Sequence, residues 1–218
     1  MKILVISTTT HKENSTSKLV LEEVMGKLKK DHDIDYIDAD QLHIVKNLSC
    51  YSSGGDNCAS KEAGKYRCWA NKLSQENPSD YGGEDEMGII YDGLSWCDTV
   101  IFATSVRWGN HSAIMQKILE RMNTLETRVS VYNEKNNLEG KKCGVVVTGQ
   151  NYMTQAVANH LLTQLSFWGF KSESRLCWQR TLDFNKEQEG DNNKSLKEYL
   201  SSEDGKEQVD SFLKTLLG

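Results

Sequence analysis

The chain has 218 residues, 38% hydrophobic and 26% charged, with a formal net charge of −5 and a sequence pI near 5.6. That balance argues against a nucleic-acid or anionic-membrane partner, which needs a basic face. No apolar stretch approaches the roughly 20 residues that span a bilayer. With one Pro and no Gly/Ser-rich linker, residues 1–218 read as a single domain carrying one long insertion.

The apolar run Lys2-Ile3-Leu4-Val5-Ile6 predicts a first strand over 2–7. It begins so early that no signal peptide precedes it, and a cytoplasmic location is the expectation. The run stops at a hydroxyl-rich loop, Ser7 to Ser17. Thr16 to Lys30 reads as a helix, with Val20, Val24 and Leu28 on one stripe and Ser15 or Thr16 as N-cap. Ile34 to Ile37 is a short strand beside the first. From about 45 to 86 the pattern is irregular and holds Gly54-Gly55, Pro78, Gly82-Gly83 and three cysteines. A loop of that length inside a compact domain is usually functional or disordered.

Met87 to Trp96 reads as a helix with Met87, Ile90, Tyr91 and Leu94 on one side. Residues 99–104 form the central strand and Ser112 to Leu125 a helix. Cys143 to Thr148 is the fourth strand, Thr154 to Trp168 a helix, Glu173 to Trp178 a fifth strand, and Asn193 to Leu217 a terminal helix. Short uninterrupted apolar runs alternating with helices mean buried parallel strands. The fold class is α/β, a doubly wound five-stranded parallel sheet of order 2-1-3-4-5 with the insertion after strand 2.

In such a sheet, ligands bind outside the carboxyl ends of the strands. Three loops with different chemistry stand there. The first offers hydroxyls, His11 and Lys12 ahead of a helix N-terminus, a setting that suits a phosphate monoester. The plainer alternative is that Ser15 or Thr16 only caps the helix. The second places Trp108 directly after the core strand, where its face can stack on a planar ring. Gly109 permits close approach, and Arg107 can meet a negative edge. The alternative for Trp108 is a lid or a subunit contact. The third pairs Gly149 with Tyr152. There is no G-x-G-x-x-G and no G-x-x-x-x-G-K-[ST] motif, which argues against a dinucleotide Rossmann site or a P-loop.

Three stretches together resemble a known family: Lys2-Ile-Leu-Val-Ile-Ser with its loop to Thr16-Ser-Lys-Leu, Asp85-Glu-Met with Ile90-Tyr91, and Ile101-Phe-Ala-Thr-Ser-Val-Arg-Trp-Gly-Asn-His-Ser-Ala. Over most of residues 1–180 the sequence is similar to the flavodoxin-like NAD(P)H-dependent FMN reductases, a group that includes quinone reductases and iron–sulfur flavoproteins. The family commonly reads Gly-Ser-Pro-Arg where this chain has Thr8-Thr9-Thr10-His11. The resemblance implies that Thr9, His11, Ser15, Thr16 and Ser17 surround the FMN phosphate. Ser105, Val106, Arg107, Trp108, Gly109 and Asn110 would hold the isoalloxazine edge, with Thr148, Gly149, Gln150 and Tyr152 closing the other side. His11 in place of Arg exchanges a permanently charged fork for a group charged only near its pKa, and Lys12 is the residue placed to supply the missing charge.

Cys50, Cys58 and Cys68 are spaced C-x₇-C-x₉-C, unlike the tight runs of ferredoxins. They are the only metal candidates, with His43 as a possible fourth ligand; the expectation is ordinary thiols and no metal. Cys97, Cys143 and Cys177 read as core. His111 is the one candidate for a catalytic proton donor, against a capping or surface position. The resulting expectation is an FMN-dependent oxidoreductase that takes electrons from NAD(P)H and passes them to a quinone, flavin, nitro or azo compound. The rivals are a flavodoxin-type or iron–sulfur electron carrier between proteins. A homodimer or homotetramer follows from the resemblance.

Overall fold

The computed structural model describes residues 1–10, 15–50, 58–150, 152–180 and 191–218. Five parallel strands form one sheet: β1 (Lys2–Ser7), β2 (Asp33–Asp38), β3 (Thr99–Ser105), β4 (Lys142–Gln150) and β5 (Lys171–Arg180). Their spatial order is β2-β1-β3-β4-β5, the expected doubly wound order. The order reverses around β1, which pairs with β2 through Lys2–Asp33 and with β3 through Ile3–Thr99. Both flanking loops therefore open at the C-terminal edge beside the β1 and β3 ends.

Nine helices occur among the described residues: α1 (Thr16–Leu28), α2 (Trp69–Glu76), α3 (Pro78–Tyr81), α4 (Met87–Trp96), α5 (Ala113–Arg121), α6 (Asn123–Ser130), α7 (Thr154–Phe167), α8 (Asp191–Ser201) and α9 (Glu203–Leu217). Alternation along each strand divides the core into two layers. Leu4, Ile6, Phe102, Val145 and Val147 pack with Ile90 and Leu94 of α4, Met115 and Ile118 of α5, and Leu161 and Leu165 of α7. Ile3, Val5, Ile101 and Val146 face the other way, onto Val20, Leu21 and Val24 of α1 and Val209, Phe212 and Leu216 of α9. Strands buried on both faces carry apolar residues at nearly every position, hence the unbroken runs.

The stretch expected to be irregular, 45–86, is in part helical. Lys61–Ala63 forms a short 3-10 turn, and α2 and α3 follow. Trp69 and Leu73 lie one helical turn apart, a pair too brief for periodicity to reveal. Pro78 occupies the first turn of α3, where its missing N–H costs nothing. The helix expected over 112–125 is two: α5 ends at Arg121 with Met122 as its C-cap, and α6 runs from Asn123 to Ser130. The terminal helix is also two, because Ser202 ends α8 and caps α9 by accepting from the Gly205 N–H. The fifth strand is longer than its apolar pattern, since pairing with β4 continues through Gln179 and Arg180.

The insertion is fastened by one buried ion pair. Asp85 receives both Arg121 terminal nitrogens at 2.7 Å, one on each carboxylate oxygen. Neither side chain is more than 2% exposed. The Asp85 carboxylate also accepts from the Val45 N–H, Arg121 donates to the Val45 carbonyl, and Asn71 donates to Asp85. Burial works against the Arg121 charge, but the hydrogen bonds to Asp85 overcome it and hold the guanidinium protonated above its usual range.

Candidate functional site

The three loops meet. Ser17 and Thr148, the first in α1 and the second in β4, join hydroxyls at 2.6 Å. The Val106 N–H donates to the Thr148 carbonyl at 2.8 Å. Arg107 donates to the Thr10 hydroxyl at 3.2 Å, linking the second loop to the first. A Cβ on Gly149 would meet Val106 and Thr154 side-chain carbons at 2.9 Å, so glycine is what lets the second and third loops touch.

At the phosphate end, Ser15 caps α1, its hydroxyl accepting from the Lys18 N–H at 3.3 Å and sharing a hydrogen bond with Thr9. The N-cap expectation at Ser15 holds. With Ser15 and Ser17 hydroxyls engaged, the donors left at this helix end are the Thr16 and Ser17 N–H groups, which have no intrahelical partner, and the half-buried Thr16 side chain. Lys18, one position further on, is turned away into an ion pair with Asp38. His11 and Lys12 lie outside the described residues.

At the other end, Arg107 and Asn110 close a tight turn through reciprocal backbone hydrogen bonds of 2.7 and 3.0 Å. Its central residues, Trp108 (φ 48°) and Gly109 (φ 81°), both have positive φ, the pattern of an I′ turn. Left-handed backbone disfavours a tryptophan by about 1–2 kcal/mol. The indole it carries is 98% exposed and is held out from the body of the protein. Ser105 lies just inside this turn, and its buried hydroxyl has no partner among the described residues. Tyr152 and Met153 are exposed on the third loop, with the Met153 sulfur against Gly109. Gln150 ends β4 opposite Arg180.

A buried hydroxyl relay under the site escaped the sequence reading. Thr8 donates to the Ala103 carbonyl, Ser112 donates to Thr8, and the Ser112 N–H donates to Thr104. The relay ties the first loop to the start of α5. The readable signal was Ser112 ahead of a helical pattern, since it also caps α5 by accepting from the Met115 N–H.

His111 is neither a cap nor a surface residue: Ser112 is the cap, and His111 is 4% exposed. Its ring stacks on His160 at 6.2 Å, one nitrogen lies 3.3 Å from the Ser112 carbonyl, and Nε2 has no partner among the described residues. Burial pushes its pKa below the ordinary value, the Ser112 carbonyl opposes this, and His160 adds to it.

His43 cannot join the insertion cysteines. Its ring packs on Gly82 and Gly83 and its Nε2 bonds the Tyr81 carbonyl. Among the described residues, no group of three or more His, Cys, Asp or Glu is arranged to hold a metal ion. Cys97 and Cys143 are buried in the core as expected, and Cys177 is half-buried; burial lifts Cys97 and Cys177 to about 11. No helix among the described residues is long and apolar enough to cross a membrane.

The family model for NADPH-dependent FMN reductase matches residues 1–175. No curated protein matches the chain by sequence. Among solved structures, RosB with a bound 8-demethyl-8-formylriboflavin-5'-phosphate intermediate is similar at TM-score 0.63 and 14% identity, over 99% of this chain and 81% of its own. A putative quinone reductase from Klebsiella pneumoniae aligns at TM-score 0.56 and 16% identity, over 99% and 85%. The NAD(P)H:quinone oxidoreductase from Methanothermobacter marburgensis aligns at TM-score 0.56 and 13% identity, over 91% and 92%.

Proposed function

The chain belongs to the NADPH-dependent FMN reductase family, and on that premise we propose that it passes electrons from NAD(P)H to a small organic acceptor such as a quinone, a free flavin, or a nitro or azo compound. Membership makes it an NAD(P)H-dependent FMN oxidoreductase; the acceptor class is our reading. The observation that carries it is the exposed Trp108 turn standing beside a Ser105 hydroxyl without a partner among the described residues, at the edge where three loops converge.

The residues present suit FMN. The N–H groups of Thr16 and Ser17, without an intrahelical partner at the positive end of a 13-residue helix, suit a phosphate. Thr9 and Ser15 shape that loop, and His11 belongs to the same loop in sequence. Ser105 to Asn110 would border the ring on one side, and Thr148, Gly149, Gln150 and Tyr152 on the other. Bound FMN supplies the hydride and electron chemistry. The chain's part is to bind and orient. Ser17 and Thr148 hold the phosphate loop against β4, the Thr8–Ser112–Thr104 relay fixes the ring loop, and Trp108 offers a planar face to whatever stacks there. His111, kept neutral by burial, is withdrawn from the open side, so no protein acid or base is assigned. One accessible ring face would serve donor and acceptor in turn.

A bare tryptophan is also what a subunit contact covers, which supports a homodimer or homotetramer. A cytoplasmic setting suits a nicotinamide-dependent enzyme. Stopped-flow mixing of the FMN-loaded protein with NADH or NADPH, followed by a quinone, tests the activity. Bleaching and recovery within one turnover are expected, with parallel double-reciprocal lines in steady state. If neither nucleotide bleaches the flavin, the protein is an electron carrier and the reductase reading fails.

A further inference from the structure

Cys50, Cys58 and Cys68 are spread over a long stretch of sequence, yet all three border one cavity of about 20 Å³, room for a water-sized molecule. The same cavity is bordered by Arg67, Arg121 and Asn123. Arg121 Nη2 donates to Cys68 Sγ at 3.4 Å, and Asn123 Nδ2 donates to Cys58 Sγ at 3.5 Å. Arg121 and Asn123 flank Met122 at the α5–α6 junction, so both sulfurs rest on one turn of chain. Two further guanidinium nitrogens of these residues, Arg67 Nη2 and Arg121 Nε, are buried without a partner among the described residues. No arrangement of three ligands fit for a metal is present among the described residues. Three thiols gathered around one small cavity, two of them hydrogen-bonded by Arg121 and Asn123, have the makings of a redox site.

We propose that Cys68 and Cys58 are a dithiol that reacts with hydrogen peroxide and closes to a disulfide. Cys68 is half-buried, and its sulfur accepts from the Arg121 guanidinium, which also holds the Asp85 carboxylate. Cys58 is buried and borders the cavity. The Cys68 sulfur attacks one peroxide oxygen; the O–O bond breaks, and the departing hydroxide takes the thiol proton and leaves as water. Cys68 is then a sulfenic acid. The Cys58 sulfur attacks it; the S–O bond breaks, the S–S bond forms, and a second water leaves with the Cys58 proton. Two thiols lose two electrons and two protons, and the peroxide becomes two waters. Arg67 and Arg121 border the cavity that the peroxide enters. Bridging pulls Cys68 from Arg121, the residue whose ion pair with Asp85 fastens the insertion, so oxidation would be felt where the insertion joins the core.

The test is titration of the full-length, FMN-loaded protein with hydrogen peroxide, alkylation of remaining thiols, and non-reducing peptide mapping. The expected result is a single bridge joining the Cys58 and Cys68 peptides, formed on the order of tenfold faster than Cys177 is oxidised, with Cys97 and Cys143 alkylated only after denaturation. Cys50→Ala should leave the bridge in place. Cys58→Ser, checked for retained FMN, should leave a sulfenic acid at Cys68 that dimedone traps. A bridge that uses Cys50, sulfinic acid at Cys68 in the wild type without a bridge, or oxidation no faster than at Cys177 would each overturn the proposal. Because the wild-type map alone decides the pairing, misfolding of a variant does not shelter it.

Discussion

Ser17 and Thr148 are 131 residues apart in sequence, and their hydroxyls meet at 2.6 Å between α1 and β4. The contact draws the start of α1 and the end of β4 together. It also spends a side chain that, on sequence grounds, would have faced a phosphate. Among the described residues, what remains for an anion at this helix end is the Thr16 and Ser17 N–H groups and the Thr16 side chain.

Thr16→Glu tests this helix end. A carboxylate in the first turn suits the helix dipole and should leave folding intact or slightly improved. The same charge faces the phosphate, and FMN affinity should fall by on the order of tenfold or more, about 1.4 kcal/mol. Flavin fluorescence titration alongside thermal melting reads both. Equal affinity in the variant and the parent would place the phosphate elsewhere.

Trp108→Ala removes a side chain that is 98% exposed. Unfolding free energy should move by no more than about 0.5 kcal/mol, as for other surface changes, while the visible spectrum and midpoint potential of bound FMN should change. A variant with a lowered melting temperature and an unaltered flavin would make Trp108 a packing residue.

Asp85→Ala leaves the Arg121 guanidinium buried without its carboxylate and strands the Val45 N–H. Loss of one partner from such a pair costs about 3–5 kcal/mol. Urea denaturation should show a loss of that size, and removing the Arg121 charge as well (Asp85→Leu with Arg121→Met) should recover part of it. A loss under about 1 kcal/mol for the single variant would mean the insertion is not fastened here.

His111 has a folded-state pKa below its unfolded value, chiefly from burial. The unfolded chain therefore binds the proton first as pH falls below about 6.5, and stability is lost from there downward to the folded pKa. Carboxylates with lowered pKa, Asp92 and Glu134, lose their share only at more acid pH. Melting curves between pH 7.5 and pH 5 should fall less steeply for His111→Asn than for the parent. An imidazole NMR titration midpoint for His111 at or above that of a solvent-exposed histidine would contradict the burial argument.

Sequence alone determined the sheet and its order. Ile3 to Ile6, Val100 to Ala103 and Val145 to Val147 are apolar at consecutive positions, and only strands covered on both faces need that. It also located the three loops, because each run ends at hydroxyls or glycine. Tertiary structure decided which groups in those loops stay available. Hydrogen bonding is pairwise and non-local, so nothing near Ser17 in sequence announces Thr148, and nothing near Ser112 announces Thr8. It decided the insertion as well. Trp69 to Glu76 has too few turns to show a period, and its helix is supported by the Asn71–Asp85–Arg121 network, whose members are brought together only by folding. The three cysteines show in the sequence as an open spacing; that they border one cavity with Arg121 and Asn123, at the α5–α6 junction, is decided by folding.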